Sequence, residues 1–283
     1  MVTDSTADLP APIAAANGIR IVPVILIVDG ASYEDQGDLS RAVFYERLPG
    51  LRRPATTASP AIEAFASTYR RALDEGADKI VSIHVSGRLS GIVDIARHAA
   101  QAFQDRVLVI DSGQVSLGLG FQALAAARAA SQGKAIREIT EAADGVRRRV
   151  RTIALIDDLE YLRRSGRVDW LRSGLSALLH IRLLVELVDG AVRRLGQVRT
   201  RARAIEALAE RARGWGPLDR LGVLHASALE DAGILASRLA PLAADDPLVV
   251  DVTTVIGAHV GPRSLGLVGV LQDPAGADPA AAE

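Results

Sequence analysis

The sequence predicts an α/β protein of two domains: a mostly parallel sheet with flanking helices, followed by an α+β domain on a mixed or antiparallel sheet. Three observations carry this. Short apolar runs alternate with helical stretches up to about residue 150, the pattern left by crossover connections in a parallel sheet. Beyond that point two apolar runs flank Asp189-Gly190, a pair suited to a type I′ hairpin because both central residues there need positive φ. A chain of 283 residues, 49% of them hydrophobic, can fill two cores. We place the domains at residues 1–151 and 152–272. Residues 273–283, mostly Ala, Pro, Gly and acid, are expected to form a disordered tail.

The elements follow in order. Met1-Val2 runs straight into Thr3, which leaves almost no room for a complete first strand. Asp8-Leu9-Pro10 reads as a helix start with Asp8 as the cap and Asn17-Gly18 as the stop. Ile19 to Val28 is one apolar run, read as a buried strand with a bulge or edge at Pro23. Helices are expected at 39–48 and at 60–73, the second with Ser59 as N-cap and Pro60 in its first turn. Strand 79–85, helix 91–103, strand 107–111 and helices 115–130 and 136–149 complete the first domain. In the second, 152–156 is a strand and 159–164 and 170–179 are helices. The hairpin 181–188/191–195 comes next, then helix 200–213 and strands at 221–226, 248–253 and 265–271 around a helix at 228–239.

Composition narrows the function. With 33 basic and 34 acidic residues the net charge is −1, which gives no electrostatic reason to expect nucleic acid or an anionic membrane as the main partner. There is no Cys, so disulfides, thiolate metal sites and cysteine nucleophiles are excluded. No secretory leader opens the chain and no apolar run has the length of a membrane span, so a cytoplasmic protein without an integral membrane segment is expected.

Three polar clusters share one chemistry: Thr56-Thr57, Ser90-Gly91 and His259. Hydroxyls, a Gly-bordered helix start and one imidazole form a donor set suited to a carboxylate. Taken singly they have plainer readings. Thr57 and Ser59 are good helix caps ahead of Pro60, Ser90-Gly91 is an ordinary loop-to-helix junction, and His259 reads as a satisfied loop histidine. His84, His98, His180 and His225 read as structural. Asp4, Ser5, Asp111 and Ser112 sit at strand ends, where sites gather in parallel sheets, and are accessory candidates. Asp157, Asp158 and Glu160 suit a solvated helix start better than a metal. No Walker A pattern and no G-x-S-x-G is present, so neither a cofactor nor a resident metal is expected.

Several segments carry a resemblance. Val2-Thr3-Asp4-Ser5-Thr6-Ala7-Asp8-Leu9-Pro10, Ala55-Thr56-Thr57-Ala58-Ser59-Pro60, Ser86-Gly87-Arg88-Leu89-Ser90-Gly91, Asp111-Ser112, Tyr161 to Val168, and His259-Val260-Gly261-Pro262 occur in the order of the motifs of the DegV family of bacterial fatty-acid-binding proteins. The chain departs from those motifs at Ala58-Ser59, where the family usually has Ser-Gln, at Ile92-Val93, where it has Thr-Tyr, and at Arg263, where it has Gly.

The resemblance implies a two-domain DegV-like fold holding one long-chain fatty acid. Its carboxylate would lie between the domains on Thr57, Ser90, Gly91 and His259, and its acyl chain in an apolar tunnel. It further implies that the protein is the non-catalytic lipid-binding subunit of a fatty acid kinase, presenting the carboxylate to an ATP-binding partner that makes acyl phosphate for phospholipid synthesis. The basic residues Arg201 and Arg203 are candidates for docking that partner. Leu175, Leu178, Leu179, Ile181, Leu183, Leu184 and Val185 are candidates for the tunnel wall, with plain core as their alternative. The rivals are a hydrolase or phosphotransferase using Ser90 and His259, and a carrier or regulator of another small acid or lipid.

Overall fold

The structure, a computed structural model, describes residues 1–37, 39–168 and 181–273. Strand β1 (Val2–Asp4) forms despite its three residues because it is central. It pairs in parallel with β2 (Arg20–Val22) on one side and β6 (Ile80–His84) on the other, and all three of its side chains are buried. With β7 (Val107–Asp111) these make a parallel sheet in the order β2-β1-β6-β7. Helices α3 (Ile62–Asp74), α4 (Ile92–Ala100), α5 (Leu117–Ser131) and α6 (Ile136–Arg149) belong to this half.

The apolar run 19–28 is two strands in two sheets. Pro23 has no N–H for a ladder, and the N–H of Val24 donates to Ser5 Oγ at 3.1 Å, so the chain leaves the parallel sheet there. It continues as β3 (Ile25–Val28), the centre of a three-stranded antiparallel sheet with β4 (Ala31–Glu34) and β5 (Thr56–Ala58). Both partners are short and polar enough to carry no strand signal of their own.

Two expected caps are corrected. Asp8 does not cap α1 (Ala11–Ala16), whose N-cap position is Pro10. A 3-10 turn over Ser5–Ala7 leaves Asp8 left-handed at φ 52° and turns its carboxyl inward, onto Ser116 and Thr253. Ser59 does not cap α3, which begins two residues later with Ala61 at its N-cap position. The helix α2 (Arg41–Arg47) is capped by Ser40 Oγ, which accepts from Val43 N.

The second large sheet runs β10-β9-β8-β13-β11-β12. Its strands are β8 (Val150–Ile156), β9 (Arg182–Val188), β10 (Ala191–Val198), β11 (Leu218–His225), β12 (Leu248–Asp251) and β13 (Leu265–Leu271). All pairings are antiparallel except β11 with β12. The mixed sheet is thus as expected, and the hairpin turn has Asp189 at φ 50° and Gly190 at φ 76°. Residue 151, the expected boundary, lies within β8. Helices α8 (Arg201–Arg213) and α9 (Leu229–Leu239) close a core of Leu208, Leu221, Leu235 and Leu267 against this sheet. Helices α7 (Leu159–Ser165) and α10 (Thr254–Val260) pack together, and α10 also touches α2, β3 and β5.

In β9 the side chains alternate: Leu183, Val185 and Leu187 are buried on one face. Leu183 and Val185 form a small core with Ile156, Leu162 and Val168, and Leu184 packs toward the core under α8. None of these three tunnel candidates lines the cavity described below, although Leu162 and Val168, which pack with Leu183 and Val185, do. Leu175, Leu178, Leu179, the helix expected at 170–179 and the tail from 274 lie outside the described residues. Among the described residues no helix is long and apolar enough to cross a membrane.

Candidate functional site

Three separate elements bring the polar clusters to one cavity. Thr57 comes from β5, Ser90 and Gly91 from the turn into α4, and His259 from the last turn of α10. His259 is thus a helix residue, where a loop position was expected. No apolar periodicity long enough to read as a helix surrounds it, and α10 is ordered by tertiary contacts. The N–H of Thr253, ahead of its first turn, donates to Asp8 Oδ1 at 2.8 Å, and Thr254 Oγ1 donates to Asp35 Oδ1 at 2.8 Å. Gly257 lets the helix lie against Tyr45, since a Cβ there would overlap the phenol ring.

The cavity holds about 330 Å³, within the range of small-molecule sites. Its polar lining is Thr6, Thr57, Ser59, Ser90, Gly91, Ser165, Arg167 and His259. The other lining residues are apolar, Val24, Ile92, Val115, Val192, Val255 and Val260 among them. Thr57 Oγ1 and His259 Nε2 are 2.9 Å apart. Burial, reinforced by the charge of Arg167, holds the His259 imidazole down at about 4, so at neutral pH it is an uncharged group with one N–H and one lone pair. The Gly91 N–H opens α4 and adds the positive end of the helix dipole.

Among the described residues Arg167 is the one charged side chain in this lining and was not expected as a site member, although it lies in the Tyr161–Val168 segment already singled out. It supplies the cation that hydroxyls and a neutral imidazole lack. One of its nitrogens donates to the Ser165 carbonyl at 2.6 Å, and burial pulls its pKa below the usual arginine value. A second depression of about 290 Å³, lined by Pro54, Thr56, Tyr161 and Arg164, shares Ser165, Arg167 and His259 with the first. Ser59, expected as a cap, lines the cavity instead. A larger cleft of about 740 Å³, between α5, α6 and β11, carries charges of both signs and none of the candidate residues.

The accessory candidates lie behind the site. Asp4 is fully buried and accepts from Thr6 N, Thr6 Oγ1, Val85 N and His84 Nδ1. His84 continues this network through Ser82 to Tyr69. The cavity is reached by Thr6, not by Asp4. Ser5 accepts from Val24 N. Asp111 accepts from the Gly87 and Gly113 N–H groups, and Ser112 Oγ is taken up by the Gln114 backbone. These four residues shape the turns that hold the site, and none of them lines it.

Arg201 is not available for docking. It lies between Asp157 and Asp231, with Arg182 and Arg263 also on Asp157, and its side chain is only 14% exposed. Arg203 is exposed. Arg201→Glu should therefore lower stability by about 3 kcal/mol, because it puts a third carboxylate where a buried pair was, while Arg203→Glu stays within about 0.5 kcal/mol. Urea unfolding of both variants checks this; equal effects would mean that Arg201 is no more structural than its neighbour. Asp158 caps α7 by accepting from Glu160 N, and Glu160 pairs with Arg163 and Arg164. Among the described residues no cluster of three or more His, Cys, Asp or Glu side chains could hold a metal. No hydrogen bond joins Ser90 to His259 among those residues, and the ring bond of His259 goes to Thr57.

A family model described as "Uncharacterised protein, DegV family" matches residues 1–271. A DegV domain-containing protein of Streptomyces coelicolor is 39% identical over 274 residues, covering 95% of this chain and 96% of that protein. Among solved structures, a DegV family protein of Thermus thermophilus, described by its fatty acid binding, aligns with a TM-score of 0.88 at 31% identity, over 96% of this chain and 98% of that one. DegV of Bacillus subtilis, described as a fatty acid binding protein, aligns with a TM-score of 0.84 at 28% identity, over 96% and 98% of the two chains.

Proposed function

The chain belongs to the DegV family, and we propose that it binds one long-chain fatty acid in the cavity between β5, α4, α7 and α10. The observation that carries this is the lining of that cavity, which joins a small set of polar groups to a majority of apolar side chains. The fatty acid binding of the Thermus thermophilus and Bacillus subtilis relatives supports it. A carboxylate taken out of water needs donors and a countercharge. Ser90 Oγ, the Gly91 N–H and Thr57 Oγ1 are the donors, and His259 fixes the direction of the Thr57 hydroxyl. Arg167 is the countercharge. The acyl chain supplies the affinity, at about 0.8 kcal/mol for each buried CH₂, and the head-group donors set its orientation.

By itself the protein is non-catalytic in this reading: His259 is neutral and has the Thr57 hydroxyl, not a carboxylate, as its hydrogen-bond partner. It would present the head group to an ATP-using kinase for acyl phosphate formation. The second depression, which shares His259 and Arg167 with the cavity, supports the placement. Adding the purified kinase and ATP to the loaded protein, with hydroxylamine to trap acyl phosphate, tests the coupling.

The binding itself is tested by mass spectrometry of the ligand retained on purification and by titration with oleate. Wild type should hold one fatty acid. Arg167→Met and Ser90→Ala should each weaken oleate binding by about 10- to 100-fold, the range for lost hydrogen bonds to a charged group. Equal affinity in all variants would place the carboxylate elsewhere.

A further inference from the structure

The turn that carries Ser90 and Gly91 is fastened to a strand hairpin from the other large sheet. Ser86, 1% exposed, makes the fastening. Its hydroxyl donates to the Gly190 carbonyl at 2.8 Å and accepts from the Arg88 N–H at 3.2 Å. Its carbonyl accepts from the N–H groups of Leu89 and Ser90, at 2.9 and 3.1 Å. One side chain thus joins the inner hydrogen bonds of the turn to a carbonyl 104 residues away. Arg88 adds a second tie, donating to the Asp189 carbonyl at 3.2 Å.

The hairpin tip is shaped for this contact. Gly190 has φ 76°, and a Cβ on it would run into Ser86 Oγ. A tip with any side chain at 190 would hold the turn away. The hairpin is also part of the cavity, because Val192, two residues past the tip, lines it. Among the described residues β10 is an edge strand beside β9, and the ties of its tip to Ser86 and Arg88 lie outside that sheet.

We propose that Ser86 is a positioning residue for the head-group site: by clamping the 86–91 turn to Gly190 it fixes Ser90 Oγ and the Gly91 N–H at the spacing a carboxylate needs. This rests on the fatty acid reading above. Ser86 itself does not line the cavity, so it acts through Ser90 and Gly91.

The experiment measures dissociation of an acid and an alcohol of the same chain, oleate and oleyl alcohol, from the full-length protein by displacement. A clamp that serves the head group matters for the acid alone. Ser86→Ala should release oleate about tenfold faster, the equivalent of one buried hydrogen bond, and leave the oleyl alcohol rate at the wild-type value. Gly190→Ala should do the same. Arg88→Ala, which removes only an exposed side chain's tie, should act in the same direction by a smaller factor and keeps the test open if Ser86→Ala fails to fold. Asp189→Asn, which keeps the carbonyl and a residue tolerant of positive φ, should match wild type. Equal acceleration of acid and alcohol, or none of either, overturns the clamp in favour of plain packing. Wild type that holds neither molecule overturns instead the fatty acid reading itself.

Discussion

Asp8→Asn is expected to stabilise the protein by a few kcal/mol at pH 8.5 and by almost nothing at pH 4. Asp8 is completely buried, and burial raises its carboxyl from 3.8 to about 7 against the opposing pull of Ser116, Thr253 and Arg41. In the unfolded chain it ionises near 4. Below that pH the group is protonated in both states and favours neither. Between pH 4 and 7 the folded protein keeps a proton that the unfolded chain has released, so stability falls as pH rises and levels off above 7. The shift, from 3.8 to about 7, corresponds to about 4 kcal/mol at most. Asparagine avoids the buried charge and keeps the bonds: its carbonyl can accept from Thr253 N, and its amide can donate to Ser116 Oγ. Asp35, also raised by burial, faces the same cluster and adds to the slope in the same direction. Urea midpoints of wild type and variant at pH 4 and 8.5 check this. A variant weaker than wild type at both would show that Arg41 holds Asp8 ionised.

The largest loss is expected from a single methyl group. Gly257→Ala should cost about 2–4 kcal/mol, because the new Cβ would overlap the Tyr45 phenol. Tyr45 is 4% exposed, stacks edge-on with Phe44 and donates from its hydroxyl to the Val252 carbonyl at 3.1 Å, so it has nowhere to retreat. The overlap must be relieved by moving α10, and α10 carries His259. Thermal unfolding and oleate titration should therefore fall together in this variant. In a Tyr45→Phe background, where the nearest atom is gone, the stability cost should shrink. An unchanged cost there would mean that the phenol is not what the methyl meets.

Much of this protein can be read along the chain. The parallel first sheet shows as apolar runs spaced by helices, and the Asp189-Gly190 turn has the φ values that its residue types call for. Thr57, Ser90, Gly91 and His259 stand in recognisable segments and line one cavity. The failures have a common form. Asp8 looks like a helix cap because Asp before Pro usually is one, yet its partners are 108 and 245 residues away. Arg201 looks like one charge in a solvated basic run, yet Asp157 and Asp231 enclose it. β4 and β5 are too short and polar to show a period of two, and exist because β3 lies between them.

The sequence by itself determined the order and kind of most elements and the donors available to a ligand, since caps, turn residues and apolar period act through neighbours a few residues apart. Only the tertiary structure decided which polar side chains reach the cavity and which are consumed holding it. That choice depends on burial and on partners far along the chain: the same carboxyl or guanidinium is a ligand contact, a cap or an internal tie according to what the fold packs against it.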